Sequence, residues 1–439
     1  MKYIYIIAFS LLALTSWSQE EMTLPKAISI GLENNFGLKI AETAVFIAQN
    51  NNSWARAGRV PTVDLNGSFT NNFTNDNNPA SFLQGTYYNG SLGANVSAGM
   101  VLYGGGRVRI TKDLLELSVN QAQLNRQIEV HNLINTIYDQ YYQVIFLEEQ
   151  KEVLEQSLTL SKDRLEYENA RKEFGTSNTY NLVQFESSVM SDSMSILSLD
   201  QQIEASKRTL LTTLNILDYP NYEFTENLSV TPEDISRDKL RDVMTEENYT
   251  LKSLEMLASL NRLNTKLAEA ANRLNVTMNT SAGYARNAFK FFGENPQTGE
   301  PVDLLFSSRI TGGVNVNATY NLYDGGVRST DIQNARLQEE MDQLSIEEAR
   351  AQIYNQLDLL IANHKNQKDQ LALSTTQLNL TKQNLEIAEE RFKAGQITSL
   401  DYRNIQLQYL NAAFAKAGII YQLILTQNDI DYLVGRYAN

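Results

Sequence analysis

The chain has 439 residues, 42% of them apolar, and carries 37 Lys plus Arg against 51 Asp plus Glu, a net charge of −14. That acidity excludes a basic nucleic-acid footprint. The absence of Cys excludes disulfides, thiol catalysis, Cys-held metals and a lipidated N-terminal Cys. Two His residues, His131 and His364, leave little for metal or triad chemistry, and seven Pro permit long helices. The mean hydropathy of −0.34 reads, at face value, as that of a soluble protein.

The N-terminus carries an export pattern. Lys2 precedes an apolar run from Tyr3 to Leu14, shorter than the roughly 20 residues a spanning helix needs. Ser16-Trp17-Ser18 then supplies small residues that place cleavage before Gln19. Residues 1–18 are therefore expected to be a signal peptide. No later segment reaches 18 consecutive apolar residues, so no transmembrane helix is expected.

Four segments alternate with a period of two. Val63, Leu65, Phe69 and Phe73 interleave with Thr62, Asp64, Asn66, Ser68, Thr70 and Asn72. Leu92, Ala94, Val96, Ala98, Met100 and Leu102 interleave with Ser, Gly and Asn. Val276, Met278, Ala282 and Tyr284 do the same, as do Ile310, Val314, Val316, Ala318, Tyr320 and Leu322. Strands are expected at about 61–74, 90–103, 275–287 and 309–323. Their polar face is small and neutral, as in a wet lumen. Their length suits a tilted membrane strand. Tyr103, Tyr320 and Tyr323 at one end and Phe69 and Phe73 at the other read as interfacial girdles. A β-sandwich with one wet face is the competing reading. If the strands meet lipid, four cannot close a barrel, and open edges are not tolerated there. Strands must then be pooled across subunits, and three chains giving twelve is one natural closure.

Between the strands lie very long helices. From about Gly106 to Arg171, and from Val327 to Lys393, there is no Pro and no internal Gly. About 65 residues of helix reach roughly 100 Å. Leu357, Leu360, His364, Gln367, Leu371, Ser374, Leu378, Thr381, Leu385, Ala388 and Phe392 follow 3-4 spacing, the mark of a helix seam. Leu373, Leu380 and Ile387 make a second stripe, so this helix expects two neighbours. Gly175 and Gly395 turn the chain, and helices resume near Thr179 and Thr398. The helical hairpins thus span about 106–217 and 327–434. Residues 217–250, with Pro220 and Pro232, read as a small collar beside the helices, together with the N- and C-terminal segments.

The pattern occurs twice. Leu102-Tyr103-Gly104-Gly105-Gly106-Arg107 recurs as Leu322-Tyr323-Asp324-Gly325-Gly326-Val327-Arg328, an offset of 220 from Tyr103 to Tyr323. Arg171-Lys172-Glu173-Phe174-Gly175 recurs at the same offset as Arg391-Phe392-Lys393-Ala394-Gly395. Asn35-Phe36-Gly37-Leu38-Lys39 resembles Asn248-Tyr249-Thr250-Leu251-Lys252. The mature chain is accordingly read as two structural repeats, 19–230 and 231–439.

Four period-two strands, two helical hairpins, the duplication and the paired Tyr-Gly-Gly and Arg-x-x-x-Gly turns resemble the TolC-like outer membrane efflux factor family over nearly the whole mature chain. The resemblance implies an α+β membrane protein: a homotrimer with a shared 12-stranded transmembrane β-barrel, four strands per chain, and a long periplasmic α-helical barrel. It implies an exit duct in the outer membrane of a Gram-negative bacterium. That duct would work with a periplasmic adaptor protein and an inner-membrane pump of the resistance–nodulation–division or ABC type. Residues 74–90 and about 287–307 would be extracellular loops, and the turns at Gly175 and Gly395 the periplasmic tips.

The resemblance also implies site residues. Asp401, six residues past Gly395, stands where family carboxylates narrow the closed entrance. Asn404, one helical turn on, and Asn181, the first-copy counterpart of Asp401, are not acidic, and Ile397 replaces an Arg. A thinner charge gate of Asp401, Asn404 and Asn181 is expected, with one Asp per chain whose pKa rises when three gather. Alternatively Asp401 caps its helix. Arg171, Gly175, Thr176 and Ser177, with Arg391, Gly395, Gln396 and Ile397, form the expected adaptor-docking tips. Tyr103, Gly104 and Gly105, with Tyr323, Gly325 and Gly326, form strand-to-helix joints. No cofactor, metal or enzymatic activity is expected. Gly104-Gly105-Gly106 before Arg107 imitates a phosphate nest, but its repetition after a second strand makes it a joint. An exported coiled-coil scaffold is the alternative function, and it leaves the four strands unexplained.

Overall fold

The computed structural model describes residues 21–438 apart from 82–83, 219–221, 232–234 and 295–297. The expected signal peptide, 1–18, lies outside the described residues. Among these, no helix is long and apolar enough to cross a membrane. The elements in order are β1 (Glu21–Met22), α1 (Leu24–Asn34), α2 (Phe36–Asn51), β2 (Thr62–Asp76), β3 (Gly85–Gly104), α3 (Arg107–Glu173) and α4 (Thr179–Thr213). There follow β4 (Glu223–Phe224), α5 (Arg237–Glu247), α6 (Tyr249–Ala270), β5 (Asn275–Phe291), β6 (Leu305–Thr319), α7 (Val327–Lys393) and α8 (Ser399–Val434).

The chain forms two compact units, and each copy of the repeat contributes to both. One gathers the residues up to Thr43 with Leu124–Ser253 and Ile346 onward, the other Ala44–Gln123 with Leu254–Ser345. The boundary between copies near residue 230 is therefore not a boundary between compact units.

The second unit holds an antiparallel sheet in the order β2-β3-β5-β6. Its central pair joins the two copies, with Leu92 opposite Arg286 and Val96 opposite Ala282. Leu65 and Phe69 of β2 face Val96 and Leu92, and Ile310 and Val316 of β6 face Tyr284 and Met278. Directly opposed residues share a face, so the apolar members of all four strands form one continuous face. Val63, Leu65, Phe69, Phe73, Ile310 and Val314 on it are exposed.

The strands differ in extent from the sequence reading. The ladder runs on to Asp76 opposite Gly85, so the first loop is shorter than 74–90. β5 and β6 likewise extend to Phe291 and back to Leu305. Asn- and Gly-rich segments read as loops by propensity, but backbone pairing with a neighbour overrides that preference. At the other end β6 stops at Thr319 rather than 323, because its partner β5 begins opposite at Asn275. Tyr320 and Tyr323 consequently lie past the ladder.

In the first unit α3 is the common wall. Leu133, Ile137, Tyr141 and Val144 of α3 pack with Leu210, Leu211 and Leu214 at the end of α4 and just past it, with Ala417 and Ile424 of α8, and with Met22, Tyr222 and Phe224. Tyr141 Oη donates to the carbonyl of Met22 at 3.0 Å. Further along, α3, α4 and α8 share Leu154, Leu199, Ile203 and Leu410. A second cluster joins α5–α8 through Leu240, Met244, Leu251, Ile353, Leu357 and Leu433. The duplication is visible in single bonds. Asn35 accepts from Leu38 N and donates to Thr213 O at the end of α4. Asn248 accepts from Leu251 N and donates to Leu433 O near the end of α8.

The seam read on α7 is the buried one: Leu357, His364, Ser374, Leu385, Ala388 and Phe392 are all buried. His364 is packed, 3.3 Å from the Gln427 amide. Leu373, Leu380 and Ile387, the second stripe, are exposed at 72%, 60% and 58%.

Candidate functional site

The turns at the ends of the helical hairpins are built alike. In the first, Gly175 N donates to Lys172 O and Thr176 N to Arg171 O. In the second, Gly395 N donates to Phe392 O and Gln396 N to Arg391 O. Each is a Schellman stop, which needs a left-handed residue just past the helix. Gly175 and Gly395 supply it at φ +70° and +72°. In each, the next helix starts four residues later from a side-chain cap, Asn178 in the first accepting from Asn181 N at 2.9 Å. Thr398 and Asp401 make a reciprocal capping box.

Asp401 is thus engaged as a cap within the protomer. Hydrogen bonds from the Thr398 hydroxyl and then the Thr398 amide hold its carboxyl below the usual range. Asn181 and Ser399 bridge the two turns, Ser399 Oγ donating to Asn181 Oδ1 at 3.1 Å. The first turns of α4 and α8 therefore lie side by side, each presenting helix N–H groups. Asn404 is exposed one turn further along α8.

The tip residues separate by direction. Gln396, Thr176 and Arg391 are exposed, whereas Ile397 is half-buried against the cluster of Phe185, Leu385, Phe392 and Tyr402. Arg171 and Ser177 turn inward to the fully buried Glu168. The sequence reading missed Phe174, exposed at 82%, and Tyr180, at 63%. Phe174 precedes Gly175 directly, an apolar side chain at a turn.

A buried polar layer above the tips was also missed. Arg403 Nη1 of α8 donates to Asp192 Oδ2 of α4 at 3.0 Å and to Gln406 Oε1 at 3.2 Å. Ser161 Oγ of α3 donates to Asp192 at 2.7 Å, and Gln406 Nε2 donates to Ser157 O at 3.0 Å. Next to it, Arg164 pairs with Glu389 of α7 and lies over the Tyr402 ring at 5.3 Å. The signal was present: Asp192 interrupts the buried stripe Phe185, Val189, Leu199, Ile203 at helical spacing.

At the joints two successive left-handed glycines turn strand into helix, Gly105 and Gly106 in one copy and Gly325 and Gly326 in the other. Gly105 O accepts from Arg273 Nη1 at 3.1 Å. In the second copy Asp324 takes that role, accepting from Gly326 N at 3.1 Å and from the Arg328 side chain. Arg328 holds the Asp324 carboxyl below its ordinary range. Gly104 closes β3, and Tyr103 opposes Val276 after a bulge. Among the described residues no group of three His, Cys, Asp or Glu is placed to hold a metal.

One unit is an amphipathic sheet with two free edges and the other is built of long helical hairpins, a fold shared with solved outer-membrane channels. It matches the Campylobacter jejuni CmeC outer membrane channel with a TM-score of 0.73 at 17% identity, over 97% of this chain and 91% of that one. The outer membrane protein VceC of Vibrio cholerae matches with a TM-score of 0.72 at 16% identity, over 94% and 96%. The open state of the Neisseria gonorrhoeae MtrE outer membrane channel matches at 0.69 and 16%, over 94% and 88%. No curated protein matches the chain by sequence. Residues 27–215 match the family described as outer membrane efflux protein. The family match thus covers part of the first copy, and nearly the whole length of the chain shares the fold of those solved channels. That family is one of channels, not of enzymes.

Proposed function

We propose that this chain is the outer-membrane exit duct of a tripartite efflux or type I secretion system, conducting substrates passively to the exterior as a homotrimer. One observation carries the reading: the protomer is incomplete at matching places in both units. In the sheet, β2 and β6 are edges of a surface whose apolar face is exposed, and lipid does not tolerate open edges. In the helical unit, α4 exposes Val183, Met190, Met194 and Leu197, and α7 exposes Leu373, Leu380 and Ile387. Both stripes keep 3-4 or heptad spacing, the demand of a helix for a second neighbour. Joining β2 to β6 and α4 to α7 of successive copies satisfies both, and three copies give twelve strands.

The tips bearing Thr176 and Gln396 dock a periplasmic adaptor, itself coupled to an inner-membrane pump. The adjoining starts of α4 and α8, with Asn181, Asp401 and Asn404, form the constriction of the periplasmic entrance. Three Asp401 carboxylates there favour cations. A scaffold function leaves the amphipathic sheet without a role.

The test uses the natural absence of Cys. Met190→Cys with Leu380→Cys, in outer-membrane fractions, is expected to give disulfide-linked trimers on oxidation, and each single variant none. Monomer alone from the double variant refutes the assembly. In planar bilayers Asp401→Ala is expected to lower cation selectivity; unchanged selectivity removes Asp401 from the constriction. Gln396→Arg with Thr176→Arg is expected to abolish adaptor pull-down at unchanged trimer yield, and intact pull-down refutes the docking role.

A further inference from the structure

The apolar face of the sheet carries two charges, and both are positive. On β5 the residues sharing this face are Val276, Met278, Thr280, Ala282, Tyr284, Arg286, Ala288 and Lys290, as their pairing with the apolar positions of β3 requires. The acidic residues of the strands, Asp64 and Asp76 of β2, fall on the opposite, wet face. Neither Arg286 nor Lys290 forms an ion pair with a described residue. Both are exposed. Arg286 lies over the Phe306 ring at 4.7 Å and Lys290 over Phe292 at 5.6 Å. Phe73, Tyr88 and Phe292 complete an aromatic cluster at this end, with Phe73 5.1 Å from Tyr88 and 6.4 Å from Phe292.

Depth decides what these cations meet. Arg286 is ten residues along β5 from Val276, which opposes Tyr103 at the joint end. Ten residues make roughly 34 Å of strand, or about 26 Å of height at a tilt near 40°. That is the top of an apolar band about 25 Å tall. Lys290 stands roughly 10 Å higher at the same rise and tilt. Both cations therefore leave the hydrocarbon where headgroups begin, on the side away from the joints. An uncompensated charge on a lipid-facing surface is costly in hydrocarbon and becomes favourable beside an anion. The aromatic rings hold each side chain up and outward, and two cations four residues apart on one strand face span about 14 Å, enough to engage more than one phosphate.

Resting on the barrel reading above, we propose that Arg286 and Lys290, framed by Phe306, Phe292 and Tyr88, form a binding site for the phosphate-bearing headgroup of an outer-leaflet lipid. Charge complementarity selects the anion, the ring cluster packs the sugar or glycerol portion, and the apolar rows of Leu92, Tyr284 and Ile310 receive the acyl chains.

The test titrates the detergent-solubilised full-length oligomer with diphosphoryl lipid A, with the dephosphorylated lipid, and with inorganic phosphate, counting bound lipid by native mass spectrometry. The wild type is expected to prefer the phosphorylated lipid by roughly thirty-fold, the combined effect of two cations at an anionic headgroup layer. R286Q/K290Q loses that preference. R309Q, which removes a charge at nearly the same height from the wet face, keeps it. Inorganic phosphate at equal concentration fails to compete. The proposal is overturned if the double variant keeps its preference, if R309Q loses as much, or if inorganic phosphate competes as well as lipid. Heat-modifiable oligomer on gels is scored in parallel. Its absence overturns the barrel reading and the site with it, whereas intact oligomer without phosphate preference overturns the site alone.

Discussion

The polar layer around Asp192 should hold the α4 and α8 ends of the hairpins against α3. Asp192 is 4% and Arg403 13% exposed at their side chains. Replacing Asp192 by Ala removes a charge-assisted pair and the Ser161 bond, and strands Arg403 among buried groups. Breaking a buried pair from one side costs about 3–5 kcal/mol. At about 1.4 kcal/mol per factor of ten, local opening near the layer should become roughly 10²- to 10⁴-fold more frequent. Asp192→Leu with Arg403→Met removes both charges and leaves no orphan, so it should return within about tenfold of wild type or be more stable. Native-state hydrogen exchange of amides in 185–199 and 399–410, read by mass spectrometry, separates this local effect from global unfolding. The reasoning is refuted if Asp192→Ala changes exchange less than threefold, or if the double variant opens more than either single one.

Further outcomes follow from the two copies and from buried titratable groups. A Cβ at Gly105 would stand 2.6 Å from the Arg273 Cβ and 2.8 Å from the Ala270 carbonyl, whereas Gly325 has open space. Gly105→Ala should therefore abolish oligomer yield in membrane fractions, while Gly325→Ala loses only about 1–2 kcal/mol of backbone preference. His131 is buried among Tyr249, Tyr432 and Tyr437, its Nε2 without a hydrogen-bond partner among the described residues. Burial pushes its pKa down to about 4, so its contribution to stability is complete above about 6.5 and lost as pH falls toward 4. Burial, reinforced by Asp429, pushes Asp139 up to about 6, so its contribution has the opposite slope, improving as pH falls from 6 toward 4. In urea unfolding followed by circular dichroism, His131→Phe should gain stability relative to wild type on acidification across pH 6 to 4, and Asp139→Asn should lose stability relative to wild type. Equal slopes in both variants would refute the assignment. Asp401, held below the usual carboxylate range by Thr398, should keep its cap above about pH 4 and release it as pH falls through its lowered pKa, seen as faster exchange at 399–403.

Much of this protein was legible in its residues. The four strands follow from alternation alone, because the apolar period of two in Val63 to Phe73 or Ile310 to Val316 permits no other element to bury one face. The seam from Leu357 to Phe392 marks the buried side of α7, and the repeated glycines mark both turns. Those features are local, and local periodicity encodes them. The pairing of β3 with β5, more than 170 residues apart at Leu92 and Arg286, is not local. It places two copies of one pattern in one sheet and puts a cation on the apolar face. Strand ends also escaped, since Asn75 and Asp76 pair only because Thr86 and Gly85 lie opposite. The same is true of Asp192, Arg403 and Gln406, polar residues from two helices that become a layer only when both pack on α3. Sequence by itself determined which elements form, and which face of each seeks cover. Only the tertiary structure decided which neighbour supplies that cover and which faces stay bare, because pairing across long separations depends on how elements meet.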